Sequence, residues 1–492
     1  MNGLNKTVGH LLSVGLIAGA CGGQALARSG GSEILDRETV VAAMKRAADA
    51  FYQFNEYGTY ISEYDDERGK RFGPHAKWKF PQDEFLVEPP GTPTVGEYFV
   101  NAYKVTRDGE YLQRAIETAR ILAWRQNNRG GWFRHETVTN YDPDWEYPRR
   151  PLGRMVLDDN VTQGTLTFLI RLDEVYDADW LTEAIALGLN GMLTAQHSSG
   201  GWPQEWPTHP QRPYSAFMTF NDGTINDCIS VMFLAYDTYG DSRYRDAALR
   251  GADYIMRSQL PEPQPGWAQQ YDLQGRPAAA RSHEPAAVGS SVTGRNIETL
   301  IDVAVRTGDA KYLAPVGPAM RWLQRSNIGP NTWARLYEIG SNRAIYGGSN
   351  GRVYYRLQDI PKQHRVSYNW EGSMGIPRAL TTAQDVQRLG IRRYTAELQA
   401  ELTDGRRESM MKRLSRLSHE GIDGMCDYGL WRANSGRVRT TLFLQNFGYM
   451  TRLVELMGPA PEPELVEEPE QTPLRKGTLV SESPRIVRSM RP

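Results

Sequence analysis

The chain has 492 residues, 40% of them hydrophobic and 23% charged, which is ample apolar material for a sizeable core. Fifty-seven Lys and Arg face 58 Asp and Glu, a formal net charge of −1, so the basic stripe that nucleic acid demands is absent. The 3 cysteines make no disulfide framework and lack metal-site spacing.

In chain order, Lys6 and the apolar run Leu11–Ala20 lead to Ala25-Leu26-Ala27, a small-x-small cleavage site, so residues 1–27 are expected to be a secretory signal peptide. Lipoprotein processing at Cys21 is the alternative, and either route implies a secreted or periplasmic protein. Helical patterns follow at Asp36–Phe54 and Thr94–Thr106. Four segments then share one plan: Gly109–Trp132, Ala178–Trp202, Asp241–Trp267 and Asp309–Trp333 each run through a helical stripe into polar, Gly or Pro residues and a tryptophan. The tryptophans recur roughly every 66 residues, the length of a helical hairpin plus a long loop. The first helix of a hairpin is expected over Asn160–Tyr176 or Gly223–Tyr239, and further patterns at Ala383–Leu402 and Phe447–Met457 extend the array. Hairpins stacked in this way predict an all-α fold, an α/α toroid over 36–458 with first helices inside and second helices outside. Once a signal peptide is removed, Cys228 and Cys426 remain, and both are expected in the core. From Pro459 the chain turns Pro/Glu-rich and then basic, a solvated tail over 459–492. No stretch outside the signal reaches the roughly 18 uninterrupted apolar residues of a membrane span.

Short turns join the helices within a hairpin. The connections between hairpins are long: Asn127–Leu157, His197–Asn221, Leu260–Ser290 and Asn327–Glu371, all expected on one rim and therefore functional. Asp158-Asp159-Asn160 and Asn221-Asp222-Gly223 open neighbouring inner helices there, so Asp159 and Asp222 are expected to face one cavity mouth. Helix N-capping explains the same residues equally simply. Arg281 and Arg335 are each followed by a glutamate three residues on, either as ion pairs pinning loops or as forks for a carboxylate ligand. Trp202, Trp206, Tyr214 and Trp267 offer flat surfaces for sugar rings. The alternative, tryptophans that pack hairpins together, is preferred for Trp132 and Trp333.

Taken in order, Asp159-Asn160, Gly200-Gly201-Trp202-Pro203-Gln204, Thr219-Phe220-Asn221-Asp222, Trp267-Ala268-Gln269-Gln270-Tyr271-Asp272, Ala280-Arg281 with Glu284-Pro285, and Trp333-Ala334-Arg335 with Tyr337-Glu338 resemble the pectic acid lyases, the pectate lyases of polysaccharide lyase family ten. The resemblance covers about 157–377. It implies an α/α barrel that cleaves polygalacturonate, or a related acidic polysaccharide, by β-elimination with Ca²⁺. By position it implies Asp159, Asn160 and Asp222 at the metal, Arg281 as the base and Arg335 as a fork for the substrate carboxylate. Trp202, Gln204, Trp267, Gln270, Tyr337 and Glu284 are implied to contact substrate. Arginine stays protonated at ordinary pH, so Tyr271 or His283 is an alternative proton acceptor, with Arg281 as an electrostatic clamp. The chain departs from the family where His283 replaces a tyrosine, and where Gly348-Ser349-Asn350-Gly351 lacks an arginine that Arg343 or Arg352 would have to replace. A monomer is expected. Two rival functions are a toroidal hydrolase of unsaturated uronides, using Asp159 and Asp222 as acid and base, and a non-catalytic carbohydrate-binding relative.

Overall fold

Helix-forming stripes and Asp or Gly punctuation set the architecture of the computed structural model, which describes residues 34–65, 70–73, 79–146, 150–365, 368–400 and 402–458. The expected signal peptide, Cys21 and the tail 459–492 lie outside the described residues. The helices are α1 (Arg37–Tyr52), α2 (Thr92–Thr106), α3 (Gly109–Arg125), α4 (Val161–Asp173), α5 (Asp179–Ala195), α6 (Thr224–Tyr239), α7 (Ser242–Arg257), α8 (Ser290–Thr307), α9 (Val316–Arg325), the single turn α10 (Lys362–Arg365), α11 (Ile376–Leu389), α12 (Ile391–Gln399), α13 (Asp404–Asp423) and α14 (Thr440–Leu456).

Inner and outer helices differ in their burial. Within a hairpin, α6 buries residues around much of its circumference, including Ile225, Cys228, Ile229, Met232 and Phe233. Its partner α7 buries one stripe, Tyr244, Ala247, Ala248, Gly251 and Ile255, and turns Arg243, Asp246 and Arg250 to water. The inner helices α14, α2, α4, α6, α8 and α11 pack side by side in that order, with α3, α5, α7, α9, α12 and α13 outside them. This is the α/α toroid. At its far rim the turns repeat one chemistry: a left-handed residue ends the inner helix (Arg107, Gly240, Gly308). The next aspartate, Asp108, Asp241 or Asp309, then caps the main chain that follows it. The first and last described helices meet in the ring. Arg37 of α1 donates to the Val454 carbonyl at 3.2 Å, and Glu63–Asp65 pairs antiparallel with Val438–Arg439. Cys228 and Cys426 are free thiols, the first buried and the second half-buried.

The tryptophan repeat has a physical cause. The indole N–H of Trp132, Trp202, Trp267 and Trp333 donates to the carbonyls of Leu122, Met192, Ile255 and Leu323 at 2.7, 2.9, 2.7 and 2.7 Å. Those carbonyls lie near the ends of α3, α5, α7 and α9. Trp431 makes the same 2.7 Å bond to Gly421 of α13, a fifth member that the sequence pattern did not reveal. The glycines before the indole let the loop touch the next outer helix: a Cβ on Gly200 (φ +94°) would lie 2.3 Å from the Arg250 carbonyl of α7.

The near-rim loops are more ordered than the scarcity of alternating patterns suggested. Strands of two to four residues pair across them, the largest sheet running Val353–Tyr354, Ala344–Gly347, Leu336–Tyr337, Val288–Gly289, Trp267–Ala268 with antiparallel neighbours. No described helix is long and apolar enough to cross a membrane.

Candidate active site

The site grows out of the residue two places beyond each of Trp132, Trp202, Trp267 and Trp333. Its carbonyl accepts main-chain N–H groups leading into the inner helix of its own hairpin. Thus Arg134 O takes Val87 and Glu88 at 2.8 and 3.4 Å, Gln204 O takes Leu157 and Asp158 at 2.8 and 3.2 Å, and Gln269 O takes Phe220 and Asn221 at 2.8 and 3.1 Å. Arg335 O takes Ser290 at 3.1 Å. Glu88, Asp158 and Asn221 are therefore equivalent in successive hairpins. Their side chains reach one mouth because the inner helices stand side by side.

Asp159 and Asp222 follow at φ 55° and 47°, in left-handed turns completed by Asn160 and Gly223. Short polar side chains tolerate that conformation. Neither turn makes a side-chain capping bond to its helix, which decides against N-capping as the role of these aspartates. Asp158, Asp159 and Asp222 can each bring an oxygen within 4.8 Å of the other two.

Three arginines close around them. Arg134 donates to Asp158 Oδ2 at 2.7 Å and to Asp159 Oδ2 at 2.8 Å, and lies 3.5 Å from Glu88. Arg281 donates to Asp158 Oδ2 at 3.2 Å and to Glu284 Oε1 at 3.3 Å. From the other side Arg335 donates to Asn221 Oδ1 at 3.0 Å, lies 3.8 Å from Asp222 Oδ1, and rests over the Tyr368 ring at 5.1 Å. Five carboxylates (Glu88, Asp158, Asp159, Asp222 and Glu284) thus share three guanidiniums, a formal excess of two negative charges when all are ionised.

Burial, and after it neighbouring carboxylate charge, raises three of these carboxyl pKa values. Burial, then the charge of Asp159, lifts Glu88 to about 7. The same two causes lift Asp158 and Asp222 above the ordinary carboxylate value. The buried Asp158 Oδ1 has no hydrogen-bond partner among the described residues. Hard oxygens, surplus negative charge and an unsatisfied buried carboxylate oxygen together fit a divalent cation of the oxygen-seeking kind. Asp158, Asp159 and Asp222 would hold it, with Asn160 adjacent in sequence.

Burial alone would lower Arg281, but Glu284 and Asp158 reverse this and hold the guanidinium above its ordinary value. His283 is lowered by burial, against the pull of Glu284, and its Nε2 sits 3.1 Å from the Tyr368 hydroxyl. Tyr368 also lies 3.5 Å from Arg281 Nη1 and 3.4 Å from Glu284 Oε1.

Several expected contacts prove structural. Tyr271 is buried; its hydroxyl donates to Ser258 O at 2.6 Å and accepts from Ala268 N at 2.9 Å, so it is no proton acceptor for a rim substrate. Tyr337 repeats this knot with Ser326 and Ala334. Trp202 and Trp267 are 0% exposed, their indoles riveting outer helices, and offer sugars no surface. Gln204 and Gln270 are buried and face each other at 3.4 Å, joining adjacent loops. Glu284 is buried against Arg281 and positions it. Arg343 stacks on Tyr355 at 3.8 Å. Arg134, Glu88 and Tyr368 escaped sequence reasoning. Arg134 stands two places beyond Trp132 as Arg335 stands two beyond Trp333, a spacing that would have found it.

The sequence profile of the pectic acid lyase family matches residues 126–328 and 318–377, just over half of the chain. Among solved structures, a family 10 polysaccharide lyase from Cellvibrio cellulosa is similar at 20% identity and TM-score 0.48, over 61% of this chain and 97% of that one. A point mutant of a Cellvibrio cellulosa family 10 lyase in complex with trigalacturonic acid is similar at 20% identity and TM-score 0.47, over 61% and 99%. An α-1,6-mannanase from Salegentibacter is similar at 12% identity and TM-score 0.44, over 85% and 99%. No curated protein matches the chain. The chain belongs to the pectic acid lyase family and is a polysaccharide lyase.

Proposed function

We propose that this lyase is exported, depends on Ca²⁺ and cleaves polygalacturonate by β-elimination. One observation carries the reading: Arg134, Arg281 and Arg335 converge on a larger number of carboxylates, with Asp158 Oδ1 unpartnered among the described residues. Such a site is suited to a divalent cation and an anionic sugar together. In the reaction C5 of a galacturonate loses its proton to an acceptor and that electron pair forms the C4=C5 double bond. The C4–O4 bond breaks, and the departing oxygen takes a proton. When bound, calcium supplies positive charge at the uronate carboxylate, which stabilises the developing carbanion.

The chain's own residues would do the rest. Arg335, fixed by Asn221 and Tyr368, grips a carboxylate. By its resemblance to the family Arg281 would take the place of the base, and Glu284 and Asp158 hold it. Its carboxylate partners keep it protonated, which suits electrostatic stabilisation. The imidazole of His283, two residues on and held below its ordinary value by burial, is the group able to receive the C5 proton while Arg281 stays charged. Residues 1–27 would direct export, leaving a mature N-terminus that mass spectrometry of the secreted protein identifies.

The decisive assay mixes the protein with polygalacturonate and calcium. Ultraviolet-absorbing unsaturated ends are expected, abolished by chelator and restored by added calcium. New reducing ends without unsaturation would instead identify a hydrolase. Neither product over a panel of uronic-acid polymers would end the proposal.

A further inference from the structure

Beside Asp222 the rim opens into a cavity of about 230 Å³ lined by Phe220, Asn221, Arg295, Arg335 and Met374 among others. That is below the roughly 300–1,000 Å³ that encloses a drug-sized molecule, and of the order of one sugar ring. It contains a second guanidinium that the site as described does not use. Arg295, in the first turns of α8, donates to Asp227 Oδ1 at 2.6 Å and to the Asp222 carbonyl at 3.3 Å. These bonds engage two of its five N–H groups, and the side chain is 44% exposed.

A glycine makes room for it. A Cβ on Gly223 would lie 1.9 Å from Arg295 Nη1 and 2.0 Å from Cζ, so the guanidinium lies directly across that residue. The backbone does not itself require glycine. The corresponding residue of the preceding hairpin is Asn160, which takes the same left-handed conformation at φ 56° against 79° for Gly223. The difference between two otherwise matching turns is the space that Arg295 fills.

We propose that this cavity is a sugar subsite selective for a free uronate carboxylate, with Arg295 and Arg335 as its two guanidinium walls and Gly223 as the residue that admits Arg295. The inference rests on the proposed action on an acidic polysaccharide and adds the form of sugar demanded next to Asp222. Two fixed guanidiniums hold a carboxylate through charge-assisted bonds that a methyl ester cannot match.

The test compares wild type, Arg295→Gln and Gly223→Asn, full chains with calcium, each checked for folding by its thermal transition. Trigalacturonate and its methyl ester are titrated calorimetrically, and turnover of polygalacturonate is followed alongside. Wild type is expected to prefer the acid by about tenfold, the factor that some 1.4 kcal/mol gives. Both variants are expected to lose that preference and to raise KM by a larger factor than they lower kcat. Gly223→Asn keeps the left-handed turn while displacing the guanidinium, and if it misfolds, Arg295→Gln decides alone. An unchanged preference in Arg295→Gln, or none in wild type, overturns the subsite. Unsaturated product with KM indifferent to Arg295→Gln overturns the subsite and leaves the proposed function standing. Acid-selective binding lost in the variants, with no unsaturated product from wild type, upholds the subsite and overturns the proposed function.

Discussion

Asp159 and Asp222 differ from most surface aspartates in having no capping duty and little counter-charge to spare. Replacing either by Ala should therefore cost activity and not stability. A loss of about 100-fold is expected on polygalacturonate, with the thermal midpoint in chelator within a degree or two and the calcium-induced rise in midpoint reduced. An unchanged calcium response in both variants would remove them from the cation site. The acceptor is separable too. Arg281→Ala is expected to lower kcat by about 10²–10⁴-fold, whereas His283→Phe would do so only if the imidazole takes the proton, and a shifted acid limb of the pH profile would mark it. Glu88 gives a further check through pH. Its folded pKa, raised to about 7 by burial and Asp159, exceeds the unfolded value of about 4.3. Between these limits the folded chain keeps a proton that the unfolded chain has released, so stability falls as pH rises through the window. In chelator, thermal midpoints should drop from about pH 5 to about pH 8, and Glu88→Gln should flatten the slope. Sequence had named Asp159 and Asp222 because their motifs stand about one repeat apart, and Arg281 and Arg335 because each precedes a glutamate by three residues and falls in the family resemblance. Glu88 was hidden because Pro89-Pro90 follows it where Asp158 and Asn221 are followed by an aspartate, so it shares their place without sharing a motif.

The hairpins were legible for a reason seen in their fastenings. An indole that must reach a carbonyl near the end of its outer helix recurs at a nearly fixed offset, ten residues in four cases and twelve at Trp267, and the left-handed residue and Asp of the far-rim turns recur with it. What the same pattern could not tell was which aromatics face solvent. Trp202 and Trp267 are conspicuous in sequence for the reason that also buries them, and Tyr271 and Tyr337 tie off loops one turn later. The α11–α12 boundary was missed because Gly390 breaks a pattern otherwise continuous over Ala383–Leu402. These fastenings predict a graded mutational response. Trp202→Phe removes the donor from the Met192 carbonyl and should cost about 1–3 kcal/mol in urea unfolding. Gly200→Ala combines a positive φ with a Cβ 2.3 Å from the Arg250 carbonyl, whereas Gly240→Ala has a positive φ and open space around it. Gly200→Ala is thus expected to destabilise more than Gly240→Ala, and equal losses would contradict the packing of that loop on α7.

Across the whole molecule, the site belongs to no single hairpin. Asp158 and Asp159 precede α4, Asp222 precedes α6, Arg134 follows α3, Arg281 comes from the loop after α7, and Arg335 follows α9. A cation held by the three aspartates would tie two inner helices at their N-termini and relieve the charge excess that strains the rim. Coupling of that kind should appear as cooperative ordering. Hydrogen exchange on the intact chain, with calcium against chelator, should slow together at 157–160, 220–223 and the 281–284 turn, while the far-rim turns at 107–108, 240–241 and 308–309 stay unchanged. The thermal midpoint should climb with calcium concentration, by about 2.7 kcal/mol of added stability at a hundredfold excess over Kd. Magnesium is expected to do this less well, since three carboxylates on left-handed turns offer a looser cage than its octahedron prefers. Protection confined to one of the two aspartate turns would mean that the ion bridges nothing. The array would then be a rigid frame with independent loops, and Asp159 and Asp222 would act separately on the sugar.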